Sequence, residues 1–125
     1  VRRIAEPRGD AVAGESGTVR GAARQLESVL ENLLDNAERH GGRANVVLGV
    51  ADAHCIFAVI DDGPGIAAAD LPQVFDRFFT TDRRRGTGLG LALARSIVRA
   101  HGGTIEVESR AGHTAFNVRL PAALD

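Results

Sequence analysis

The chain has 125 residues, enough for one hydrophobic core and too few for two full domains. Its 15 cations, all arginine, face 16 acidic residues for a net charge of −1, a balance that excludes a general binder of nucleic acid or of membrane surfaces. The single Cys excludes an internal disulfide, no apolar run approaches the ~20 residues of a membrane span, and no signal peptide is visible. Met is absent, so Val1 does not read as the start of an unprocessed chain, and the expectation is a piece of something longer or a processed product.

Residues 1–21 scatter Ile4, Val12 and Val19 among polar residues and predict one or two short strands with a loop through Gly14–Gly17. Residues 22–40 carry the spacing of one buried helix face in Leu26, Val29, Leu30, Leu33, Leu34 and Ala37, with Gly41 and Gly42 as the stop. Two β-rich runs, 44–51 and 54–61, are separated only by Asp52 and Ala53 and predict a hairpin, with Cys55 as a small core residue. DDGPGI at 61–66 reads as a loop, and Asp70 to Asp76 as a short helix capped by Asp70 with Pro72 in its first turn. A second long helix is expected from Thr87 to His101, with Gly102 and Gly103 ending it. TIEVES and TAFNVRL then alternate as strands around a turn at Arg110–Gly112. Hairpins imply a mostly antiparallel sheet and the helices a second layer, which gives a two-layer α/β sandwich.

Several groups could carry chemistry. GTGLGL at 86–91 opens the second long helix, where unpaired N–H groups, the helix dipole and pliant glycines suit a phosphate. Glycines alone fit a flexible hinge followed by a helix better, and the spacing matches neither a dinucleotide fingerprint nor a P-loop. Arg83, Arg84 and Arg85 stand just before them, with Arg77 earlier; a solvated loop explains such a run, and a phosphate-ready helix start beside it adds weight to anion binding. Asn32, Asn36 and Arg39 share one face of the first helix, and amide oxygens are hard ligands that suit Mg²⁺. Asp61 ends a strand beside Gly63 and Gly65, where it can shape a turn or accept a hydrogen bond from an amino group such as that of adenine.

Together four motifs, ENLLDNA at 31–37, DDGPGI at 61–66, FDRFF at 75–79 and GTGLGL at 86–91, resemble in order the N, G1, F and G2 boxes of the catalytic ATP-binding domain of sensor histidine kinases. That domain has the Bergerat fold shared with DNA gyrase B, Hsp90 and MutL, so the resemblance implies an α+β sandwich with a mixed, mostly antiparallel sheet and about three helices on one face. It runs from about Val19 to Pro121 and implies a single ATP-binding domain over 1–125, with residues 1–18 peripheral. It implies ATP and Mg²⁺ as cofactors. Asn36 would hold Mg²⁺ against the phosphates, with Asn32 supporting that catalytic site. Arg39 would contact a phosphate, and His40 would lie near the adenine. Asp61 would read the adenine amino group, with Gly63, Gly65 and Ile66 letting the base approach and Thr114 close by. Phe75 and Phe78 would anchor a short lid, Asp76 to Arg85. Arg85, Gly86, Thr87, Gly88, Leu89, Gly90 and Leu91 would wrap the phosphates. Ala22 and His113 depart from the family's usual Asp and Gly, and should cost stability or local geometry before they cost binding.

Hydrolysing relatives of this fold place a Glu where Asn32 stands, and Asn cannot act as a base, which favours phosphotransfer over hydrolysis. None of the four His residues resembles a phospho-acceptor. The resemblance therefore implies a dimerisation and acceptor-His domain elsewhere in the same protein and, indirectly, a response regulator as partners, with no nucleic acid. It implies a monomeric isolated domain within a homodimeric parent, and a cytoplasmic location, with the parent an inner-membrane sensor in some arrangements. Two alternatives stay open: a serine kinase of the anti-sigma-factor type, against which FDRFF argues, and a non-catalytic module that senses nucleotide.

Overall fold

The computed structural model describes residues 11–14, 23–39, 43–79 and 88–122. The helix-stop glycines 41 and 42, Ala22, and Arg83 and Arg84 lie outside the described residues, as do His40, Arg85, Gly86 and Thr87.

Five strands form one sheet in the order β1-β2-β3-β5-β4: β1 (Ala11–Gly14), β2 (Ala44–Ala51), β3 (His54–Asp61), β4 (Thr104–Arg110) and β5 (His113–Pro121). β1 runs parallel to β2, and every other pairing is antiparallel. The β2–β3 hairpin has the bounds that its residue pattern predicts. Its two-residue turn places Asp52 at φ 50° and Ala53 at φ 59°, the mirror-image turn that matches strand twist. In the weakly patterned N-terminal stretch, the described residues hold one strand, β1.

Helix α1 (Ala23–Arg39) buries Val29, Leu30, Leu33, Leu34 and Ala37, the stripe that its spacing dictates. Helix α2 (Gly90–Ala100) begins three residues later than the periodicity suggests. Gly88 explains the late start: at φ +74° it occupies the left-handed region and cannot continue a right-handed helix. At the other end the His101 ring donates from Nδ1 to the Ile97 carbonyl at 2.8 Å, and Gly102 turns the chain at φ +76°. The expected helix at 70–76 is reduced to one 3-10 turn, Leu71–Gln73, because the Asp70 side chain makes no capping bond. The described residues therefore hold two α-helices where about three were expected.

Both helices pack on the same face of the sheet. The core between the layers joins Leu30, Leu33, Leu34 and Val98 to Val46, Phe57, Val59, Phe116, Val118 and Leu120. Cys55 lies half-buried at the start of β3, opposite Leu120, outside that buried cluster. Among the described residues no helix is long and apolar enough to cross a membrane.

Candidate nucleotide site

The connections decide which residues can meet. α1 runs into β2, whose first residue Ala44 pairs with Asp61, so the C-terminal half of α1 lies at the Asp61 end of the sheet. α2 runs into β4, whose first residue Thr104 pairs with Arg119 near the opposite end. The N-terminus of α2 therefore returns to the Asp61 end. The start of β5, with Thr114 directly opposite Asp61, is there as well.

Asp61 and Thr114 are each 3% exposed, polar groups on the core side of the sheet. The Gly63 N–H donates to Asp61 Oδ1 at 3.0 Å, which fixes the carboxylate against its own loop. The neighbouring Asp62 acts on the scaffold instead. Its Oδ1 accepts from the Arg43 N–H at 2.7 Å and ties the start of β2 to the end of β3. Gly65, at φ +88°, lies so close to β4 that a Cβ there would meet the Arg110 carbonyl oxygen at 2.5 Å. That glycine lets the loop press against a strand, and Ile66 follows half-buried against the core. The Ile66 N–H donates to Ser109 Oγ at 2.7 Å, and Ser109 Oγ is 2.7 Å from Thr114 Oγ1.

Asn36 is 7% exposed, although a polar side chain there must leave water. Asn32, one turn earlier, faces the start of α2: a Cβ on Gly90 would meet Asn32 Oδ1 at 3.4 Å. The Nδ2 of Asn32 is buried with no hydrogen-bond partner. An orphaned amide donor costs roughly 1–3 kcal/mol, so a group that satisfies it would bind with that advantage. The N-cap residue of α2, Leu89, makes no side-chain capping bond, and the first turn of α2 begins beside Asn32. Arg39, half-buried, ends α1 on the Asn36 side. Among the described residues no three His, Cys, Asp or Glu converge to hold a metal. A divalent cation here would rest on amide and ligand oxygens and on water, which suits Mg²⁺ better than zinc.

The phenylalanine segment closes the α2 side. Phe75 meets Phe116 edge to face at 6.0 Å, and the Arg95 guanidinium stacks over it at 5.6 Å from the ring centre. Phe78 is 71% exposed and sits at φ +68°, an unusual conformation for a large side chain. Its N–H donates to the Gly88 carbonyl at 2.8 Å, while Leu89 lies on the surface and Leu91 packs toward the core. Two residues of this region do not stand out in the sequence. Ser109 carries a usable signal, a polar residue in phase with Ile105 and Val107 on the inward face of β4. Arg95 carries none beyond its place on a helix.

A mixed sheet with helices on one face, with Asn36 buried and Asn32 half-buried beside a glycine-led helix start, defines an α/β sandwich domain with a polar corner at one end of the sheet. The chain belongs to the histidine kinase-, DNA gyrase B-, and HSP90-like ATPase family, which it matches over residues 21–124. It is 44% identical over 115 residues to the probable sensor histidine kinase TcrY of Mycobacterium tuberculosis, covering 86% of this chain and 24% of that protein. It is 43% identical over 108 residues to the sensor protein KdpD of Clostridium acetobutylicum, covering 79% of this chain and 12% of that one. The chain thus spans about a quarter or less of these relatives. Among solved structures, the mycobacterial sensor histidine kinase MprB superposes with a TM-score of 0.82 at 32% identity, over 99% of this chain and 90% of that one. Full-length ShkA in complex with AMPPNP superposes with a TM-score of 0.79 at 28% identity, over 97% of this chain and 27% of that one.

Proposed function

We propose that this domain binds Mg·ATP and donates the γ-phosphate to a His on a separate dimerisation domain of the same protein, which then serves a response regulator. The observation that carries the reading is the asparagine face of α1. Asn36 is buried, and half-buried Asn32 turns its Oδ1 toward the start of α2 and carries a buried, unpartnered Nδ2. Buried amides of this kind fit a ligand with anionic oxygens and its bound cation.

Each residue then contributes separately. The Asn36 amide oxygen holds the cation, and Mg²⁺ when bound neutralises phosphate charge. Asn32 donates toward the same ligand and, lacking a basic site, leaves water unactivated, so the phosphate survives until the acceptor arrives. Arg39 adds a fixed positive charge, since the chain has no Lys to do so. The backbone of Gly88, Leu89, Gly90 and Leu91 supplies N–H groups at a helix start, where an anion is favoured. Asp61, beside Gly63, Gly65, Ile66 and Thr114, accepts from the adenine amino group, and Phe75 and Phe78 shape the opposite wall. His40, Arg85, Gly86 and Thr87 belong to the same proposal.

Two of the four His residues are engaged in local structure: His101 caps α2, and His54 donates from Nδ1 to the Asp52 carbonyl at 2.8 Å. This supports an acceptor on another domain. The reading further takes residues 1–125 as one domain, monomeric in isolation, within a homodimeric, cytoplasmically facing parent. The test mixes the chain with a separately purified acceptor domain from the parent and γ-labelled ATP. Label on the acceptor His, dependent on both the chain and Mg²⁺, is expected; label retained on the isolated chain, or none on the acceptor, would overturn the reading.

A further inference from the structure

We infer that Ser109 is a positioning residue that sets the direction of the Thr114 hydroxyl and, through it, the preference for adenine over guanine beside Asp61; the inference rests on the adenine-site reading above. Strand register places three polar side chains in one row across the sheet. Asp61 on β3 pairs with Thr114 on β5, and Thr114 pairs with Ser109 on β4. Asp61 and Thr114 are buried and Ser109 half-buried, so bulk water does not decide how these groups bond.

The proton arrangement follows from one fixed donor. A backbone N–H can only donate, so Ser109 Oγ accepts from Ile66 in the 2.7 Å contact. A hydroxyl that already accepts becomes a better donor, because hydrogen bonds in a chain polarise one another. Either hydroxyl can donate across the 2.7 Å Ser109–Thr114 contact, and we take Ser109 as the donor, the direction that the Ile66 bond favours. The Thr114 proton is then turned away from Ser109, toward the Asp61 side of the row.

That polarity gives the pocket a readable edge. Thr114 offers a donor beside the acceptor oxygens of Asp61. The adenine edge offers an amino donor beside a ring-nitrogen acceptor and fits. The guanine edge offers a carbonyl oxygen beside a ring N–H and meets acceptor with acceptor and donor with donor. Ser109 touches neither base, and Thr114 transmits its effect. Ser109 also holds the 63–66 loop through Ile66, so a purely structural latch is the competing account.

The two accounts separate in a ratio of affinities, which does not depend on how much of the protein is folded. Dissociation constants for Mg·ATP and Mg·GTP would be measured on the full chain and on Ser109→Ala, Ser109→Thr, Thr114→Val and Asp61→Asn. Ser109→Ala and Thr114→Val are each expected to cut the preference for ATP about three- to tenfold, the worth of one net hydrogen bond. Ser109→Thr keeps the hydroxyl on a strand that accepts β-branched residues, and is expected to restore the preference to within about twofold. A lower Tm for Ser109→Ala with an unchanged ratio would overturn the inference and leave Ser109 a latch. If Asp61→Asn loses the preference while Ser109→Ala keeps it, the inference alone fails. If Asp61→Asn also keeps it, the adenine-site reading fails, and the inference with it.

Discussion

The N–H of Phe78 donates to the carbonyl of Gly88 at 2.8 Å, and the backbones of the two residues lie so close that a Cβ on Gly88 would collide with the Phe78 main chain. Gly88 also stands at φ +74°. Gly88→Ala therefore meets both a steric and a conformational penalty. It is expected to lose about 2 kcal/mol of stability. ATP affinity should fall at least about tenfold, because the start of α2 would move with it. Urea unfolding and calorimetric titration with Mg·ATP check the two parts. Wild-type affinity in a destabilised variant would remove this contact from the site.

Asn36→Ala should leave the fold standing, since α1 keeps its apolar stripe and Ala favours a helix. ATP affinity measured with Mg²⁺ should fall to the level the native chain shows with EDTA. An Mg²⁺-dependent gain that persists in the variant would release Asn36 from its proposed role.

Asn32→Ala separates stability from binding. The native side chain buries an unpartnered Nδ2. Its removal should leave the nucleotide-free protein as stable as before, or up to about 1 kcal/mol more stable. Nucleotide affinity should drop in the same variant. A large loss of stability with normal affinity would mean that the amide serves the fold and not the ligand.

Ala53 holds φ 59° in the β2–β3 turn, where an L side chain is strained. Its carbonyl accepts from the Ala122 N–H at 2.8 Å, so the turn is held from outside as well. Ala53→Gly should raise stability by about 0.5–1 kcal/mol, the relieved strain less the entropy that Gly loses on folding. The thermal unfolding midpoint reports it, with no change expected in nucleotide affinity.

Local pattern makes most of the scaffold readable. The helix face around Leu33 and the two strands flanking Asp52 and Ala53 follow from periodicity and a short turn, which need only neighbouring residues. The parallel pairing of β1 with β2 is not readable, because it joins Ala11 to Asn45 across the whole of α1. Periodicity starts α2 three residues early, because it ignores the φ +74° of Gly88. The helix expected after Asp70 shrinks to a single turn because a capping residue in sequence need not cap in space. In the site, Asn32, Asn36 and Asp61 stand out as polar residues at helix or strand positions where apolar ones would pack. Ser109 shows the same signal more faintly, in phase with Ile105 and Val107 on β4, but its partners do not, since the β4–β5 register brings Thr114 to it and the 63–66 loop brings Ile66.

β3 and β5 are hydrogen-bonded along their full length, although everything from Asp62 to Gly112 lies between them. Within that excursion the Phe78–Gly88 bond joins two residues ten positions apart in the chain. Closing a loop twice as long costs only about 0.6 kcal/mol more. Insertions and deletions between these two residues are therefore nearly neutral for the scaffold. Evolution or design can resize the stretch between Phe78 and Gly88 while the sheet, its register and the Asp61 corner stay as they are.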